Sequence, residues 1–132
     1  MREYKIDGTA IPQGSKAISR AGFMYESNKN LKAWRKHATE TLAKQHKTDT
    51  LQNALAVRIS IKFTRPKTVT RKHVTVKPDV DKLARAILDS ATDAGIWRDD
   101  SQVVDLRITK DYTTYASEVQ VAVWELENDA DI

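Results

Sequence analysis

From Leu55 to Thr64 the chain alternates: Leu55, Val57, Ile59, Ile61 and Phe63 fall on one side, Ala56, Arg58, Ser60, Lys62 and Thr64 on the other. A period of two is that of a strand with one buried and one wetted face. Two later runs repeat it, Gln102 to Thr109 through Val104, Leu106 and Ile108, and Glu118 to Leu126 through Val119, Val121 and Val123. The turn-prone KDYTTYAS between them predicts an antiparallel pair. At the start, EYKID alternates up to Gly8, and Gly22 to Tyr25 reads as a second short strand. Between them, Pro12-Gln13-Gly14-Ser15 signals a loop that carries Lys16 and Arg20.

Two segments change to the helical period. After Asn28 and Asn30, which suit a cap, Leu31, Trp34, Ala38 and Leu42 share a face, with Lys32, Arg35, Lys36 and Lys44 elsewhere. After Pro78, Leu83, Ile87, Leu88, Ala91 and Ala94 form a stripe that Gly95 closes at a position suited to a left-handed cap. Between the long strand and this helix, RPKTVTRKHVTVKP reads as an extended basic loop. The order predicts a single α+β (mixed α/β) domain over residues 1–132, a mixed sheet of four to five strands covered by two main helices. Residues 127–132 are expected to be a flexible acidic tail.

Composition narrows the chemistry. With no cysteine in 132 residues, disulfide frameworks and thiolate metal sites are excluded. No apolar run approaches the ~20 residues of a membrane span, and MREYKIDGTA lacks the apolar core of a signal peptide, so a cytoplasmic protein with no membrane partner is expected. The net charge of +4 hides a division. Residues 1–75 hold 16 Lys and Arg against 5 Asp and Glu, or +11, and residues 76–132 hold 6 against 13, or −7. A basic half followed by an acidic half suits a protein that attracts a polyanion with one region and holds a cation with the other.

The acidic half concentrates its carboxylates around the second helix, with Asp79 and Asp81 before it and Asp99 and Asp100 after it. Taken singly, each has a structural use: Asp79 as a helix cap, Asp81 as a first-turn charge favoured by the helix dipole, Asp100-Ser101 as a turn. Taken together beside the basic loop, they form a set of hard oxygen donors that selects Mg²⁺ or Mn²⁺ over Zn²⁺. Such an ion next to a phosphate-binding surface makes a phosphodiesterase site.

The run KPDVDKLARAILDSATDAGIWRDDSQVVD, Lys77 to Asp105, resembles the core of the RusA-type Holliday-junction resolvases. That family's pattern is D-[LV]-D-N-L, a basic residue four positions beyond the second Asp, then W-x-D-D-x-Q-V. The likeness covers 29 of 132 residues, and IPQGSK is similar to the looser opening of phage-borne members. It implies a homodimeric endonuclease of a bacterial or phage-infected cell that cuts four-way DNA junctions by symmetric paired nicks, with Mg²⁺ or Mn²⁺. The implied essential carboxylates fall on Asp79, Asp81 and Asp100, with Asp99 adjacent. The family's functional lysine falls on Arg85, which keeps the charge for a phosphate but, with a pKa above ~12, is no proton donor. Lys82 stands where the family has Asn, a cation that either competes with the metal or adds a phosphate contact. The alternatives are a non-catalytic branched-DNA-binding protein of the same fold and a nuclease for flaps or forks.

Helical residues 81–94 span roughly 20 Å at 1.5 Å per residue. The two aspartate pairs therefore meet in one of two ways. Either the chain after Gly95 folds back along the helix, or two helices pair antiparallel and each site mixes Asp79 and Asp81 of one subunit with Asp99 and Asp100 of the other. Lys16, Arg20, Arg65, Lys67, Arg71, Lys72, Lys77 and Lys82 are candidate DNA contacts, Lys77 foremost. Trp97 fits a core or an interface better than a wedge in the junction, and Trp34 and Trp124 are expected in the core. His37, His46 and His73 show no ligand spacing.

Overall fold

The computed structural model describes residues 1–14, 16–18, 24–26 and 30–127. A four-stranded mixed sheet runs in the order β1 (Arg2–Asp7), β6 (Glu118–Glu125), β4 (Leu55–Thr64), β5 (Val103–Thr113). A separate ribbon pairs β2 (Lys16–Ile18) with β3 (Met24–Glu26). Helices α1 (Leu31–Gln45) and α2 (Val80–Asp93) complete the α+β domain. Lys16 thus opens a short strand in place of the expected loop. Arg20 and the acidic tail from residue 128 lie outside the described residues.

The alternating positions settle which face is covered. Leu55, Val57, Ile59 and Ile61 of β4, Val119, Val121 and Val123 of β6, and Tyr4 and Ile6 of β1 are buried in one cluster. Onto them pack Leu31, Trp34, Ala38 and Leu42 of α1 and Leu83, Ala86, Ile87 and Ala91 of α2. Both helices therefore share one side of the sheet. Trp124 follows buried Val123 and by the period of two must point to the other side. There it lies half-buried with the Arg58 guanidinium 5.7 Å from its ring centroid, correcting the expectation of a core position.

The expected β5–β6 hairpin is also corrected. β4 stands between them, parallel to β5 and antiparallel to β6. Alternation predicts strands but not their neighbours, and β4, with Leu55, Val57, Ile59 and Ile61 buried on one face, takes the place between β6 and β5. The link after β5 crosses the end of β4, where the Thr64 N–H donates to Ser117 Oγ (2.9 Å) and the Thr64 hydroxyl to Tyr115 O (2.8 Å). β5 is consequently an edge strand, with Val104 65% and Leu106 42% exposed.

α2 is the crossover that makes β4 and β5 parallel. Its end is fixed by Gly95, whose φ of +81° is the left-handed conformation that only glycine adopts cheaply. The Ile96 N–H then reaches back to Ala91 O (3.1 Å), which turns the chain toward Trp97 and a 3-10 turn at Asp100–Gln102.

Candidate active site

At the start of α2, Asp79 is the N-cap by position, but its side chain makes no capping hydrogen bond, and Asp81 is exposed in the first turn. The plain side-chain cap reading of Asp79 therefore fails. The backbone entering the helix is held from β5: Lys110 Nζ donates to Val76 O (2.7 Å) and Pro78 O (2.8 Å). Sequence reading did not single out Lys110. It lies 31 residues from Asp79, with no local pattern to mark it.

The other end of α2 is organised by a buried indole. Trp97, 1% exposed, donates from Nε1 to Thr92 Oγ1 (2.8 Å) and to Asp100 Oδ1 (3.2 Å), and the Thr92 hydroxyl bonds the same carboxylate oxygen. Trp97 is thus a core residue that orients Asp100. Asp99 is engaged locally: it accepts from Ser101 and forms a reciprocal cap with Gln102, whose side chain receives the Asp99 N–H (3.0 Å). The Ser101 hydroxyl and then the Ser101 N–H hold its carboxyl below the ordinary value.

Asp89, one turn before Thr92, is a further carboxylate that the sequence reading left without a role. Burial first, then a hydrogen bond to Asp100 and the charge of Asp100, push its pKa up, against Arg35 and Gln13, which lower it. Its signal was present: Asp81, Arg85 and Asp89 recur every four residues, the spacing of neighbours on a helix.

The structure brings Asp79 next to Asp81, and Asp100 next to Asp99 and Asp89, but leaves the two groups apart. Asp81 and Thr92, against which Asp100 rests, are separated by about 16 Å of helix. Among the described residues, no three or more His, Cys, Asp or Glu converge as a metal site within the chain. The first of the two expected arrangements, folding back along the helix, extends only to Asp89. Arg85 is exposed, and Asp81, Arg85, Leu88 and Thr92 follow steps of four, three and four along one stripe of α2.

The basic loop lies beyond the end of β4. Lys67, Arg71, Lys72 and Lys77 are exposed, and Lys82 is half-buried. Arg65 is occupied by its own loop: its guanidinium donates to the carbonyls of Val69, Arg71 and Lys72 and stacks 4.4 Å from the Tyr112 ring centroid. It shapes the loop that presents the other cations. Two of the histidines also have structural partners. His37 Nε2 meets Asp7 O (2.6 Å), and His46 bridges the Tyr4 hydroxyl (2.7 Å) and Asp49 O (3.0 Å).

No helix among the described residues is long and apolar enough to cross a membrane. Residues 7–124 match the family described as endodeoxyribonuclease RusA. Over 51 residues the chain is 39% identical to the crossover junction endodeoxyribonuclease RusA of Escherichia coli strain K12, covering 39% of this chain and 42% of that protein. The same figures hold for the crossover junction endodeoxyribonuclease of Enterobacteria phage 82. The aligned segment spans about two-fifths of the length of these relatives, whereas the family match takes in both ends of α2, the basic loop, β4, β5 and nearly all of β6. The chain therefore belongs to the RusA endodeoxyribonuclease family.

Proposed function

We propose that the protein is a metal-dependent endodeoxyribonuclease that resolves four-way DNA junctions by paired nicks, as a homodimer whose two sites are each built from both chains. The separation of Asp81 from Asp100 along one helix carries this reading. A two-fold axis near the middle of the Asp81–Arg85–Leu88–Thr92 stripe, with the helices antiparallel, sets the start of each α2 against the end of its partner. Asp79 and Asp81 of one chain then meet Asp100 of the other. The exposed Val104 and Leu106, which closely follow Asp100 on an edge strand, are apolar surface of the kind a subunit contact covers.

The donor set fits a hard divalent cation, since every member is a carboxylate and the Asp79 side chain is not spent on capping. Held there, Mg²⁺ or Mn²⁺ would supply charge neutralisation at the scissile phosphate and a more acidic water. The chain does the positioning. Lys67, Arg71, Lys72 and Lys77 bind flanking phosphates, Arg85 holds the scissile phosphate without acting as a proton donor, and Trp97 and Thr92 aim Asp100. In-line attack then leaves 5′-phosphate and 3′-hydroxyl ends.

A synthetic four-way junction incubated with Mg²⁺ tests this. Symmetric paired nicks that disappear in EDTA and in Asp81→Asn are expected. Binding without nicking, or full activity of Asp81→Asn, overturns it.

A further inference from the structure

Beside Asp79 lies an open groove of about 740 Å³. Among the described residues it is lined by the apolar Ala10, Ile11, Pro12, Phe63 and Pro78 and by Lys77 and Lys82. Both walls are pinned. The Lys77–Pro78 wall is fixed by Lys110, which donates to the carbonyls of Val76 and Pro78. The opposite wall is fixed by the Gln13 N–H, which donates to Lys82 O (3.0 Å). The groove is therefore built in advance of any ligand, and its size lies within the roughly 300–1,000 Å³ range of small-molecule sites.

We infer that this groove receives one unpaired nucleotide next to the scissile phosphate, its base against Phe63 and its phosphate against Lys77. Three features of the groove converge on that occupant. The apolar lining includes an aromatic ring and two prolines, surfaces on which a base of any identity packs. The exposed Lys77 ammonium complements a phosphate. The groove also runs into Asp79, so a strand held at the carboxylates continues into it. A base inside a duplex does not reach such a floor without leaving its stack, and branched DNA offers bases that leave it most readily. The inference rests on the nuclease reading and adds to it where the substrate strand is gripped.

The test is a double cycle of protein and DNA changes, read as junction affinity in EDTA, where no cleavage occurs. Phe63→Leu removes the ring and keeps most of the apolar volume at a partly buried position, and retention of the fold is checked by its melting curve. An abasic site is moved through the nucleotides around the crossover. At one position, Phe63→Leu and the abasic site are each expected to weaken binding about five-fold or more, and together to weaken it no further than either alone. Losses that multiply at every position overturn the inference. So does wild-type affinity in Phe63→Leu. If the wild-type protein binds no junction, the nuclease reading falls and takes this inference with it; if it binds and only the cycle fails, the nuclease reading stands alone.

Discussion

The indole N–H of Trp97 donates to Asp100 Oδ1 at 3.2 Å from a position only 1% exposed. The buried ring thereby sets the direction of a carboxylate at the protein surface. Trp97→Phe keeps an aromatic ring and loses the donor. It is expected to cost about 1–3 kcal/mol of stability, from a donor shared between Thr92 and Asp100 and a small cavity. Cleavage should fall about ten-fold at fixed Mg²⁺, with more Mg²⁺ needed for half-maximal rate. A folded variant with the wild-type Mg²⁺ midpoint would contradict this role.

Lys110 holds the entry to α2 through two carbonyls, 2.7 and 2.8 Å away. Lys110→Met should slow single-turnover cleavage ten-fold or more and leave junction affinity in EDTA within about two-fold. Lys110→Arg, which can still bridge the carbonyls, should recover much of the rate. Equal losses in both variants would mean that the bridge is not what matters.

Lys77 and Arg65 are both cations near the site, yet they act differently. Lys77 is exposed, whereas the Arg65 guanidinium is used on three carbonyls and the Tyr112 ring. Lys77→Gln should flatten the dependence of log affinity on log salt by about 0.9, one phosphate contact. Arg65→Lys keeps the formal charge but loses the planar fork, and should weaken binding several-fold nonetheless. A wild-type affinity for Arg65→Lys would return Arg65 to the list of simple phosphate contacts.

Asp89 beside Asp100 gives a dependence on pH. Its pKa is raised from 3.8 in the folded chain, by burial first and then by Asp100. The native state thus holds the proton more firmly than the unfolded one, and stability falls as pH rises from about 4 through the folded value. Asp89→Asn carries no such ionisation. Melting curves in EDTA should show the variant gaining on the wild type as pH rises from 4 to 7, and a constant difference would refute the assignment.

Much of this was readable in the sequence because it is local. The period of two in β4 and β6 assigned the buried face, and Gly95 marked the end of α2 because a left-handed backbone there requires it. The Asp79, Asp81, Asp99 and Asp100 set stood out by spacing. What stayed hidden depends on long-range placement. Alternation could not tell that β4 lies between β5 and β6, and no pattern near Lys110 announces that it holds Pro78. Trp124 was misplaced because large aromatics are mostly buried, although its parity with Val123 already pointed it to the open face.

The most direct test of the shared site mixes two inactive proteins. Asp79→Ala and Asp100→Ala chains are each expected to fail on a four-way junction with Mg²⁺, and they are then allowed to exchange subunits. If each site draws on both chains, every heterodimer regains one intact centre and nicks a single strand, so nicked junctions appear without resolved duplexes. If each site lies within one chain, no heterodimer has an intact centre, and a mixture as inactive as its parents would contradict the account.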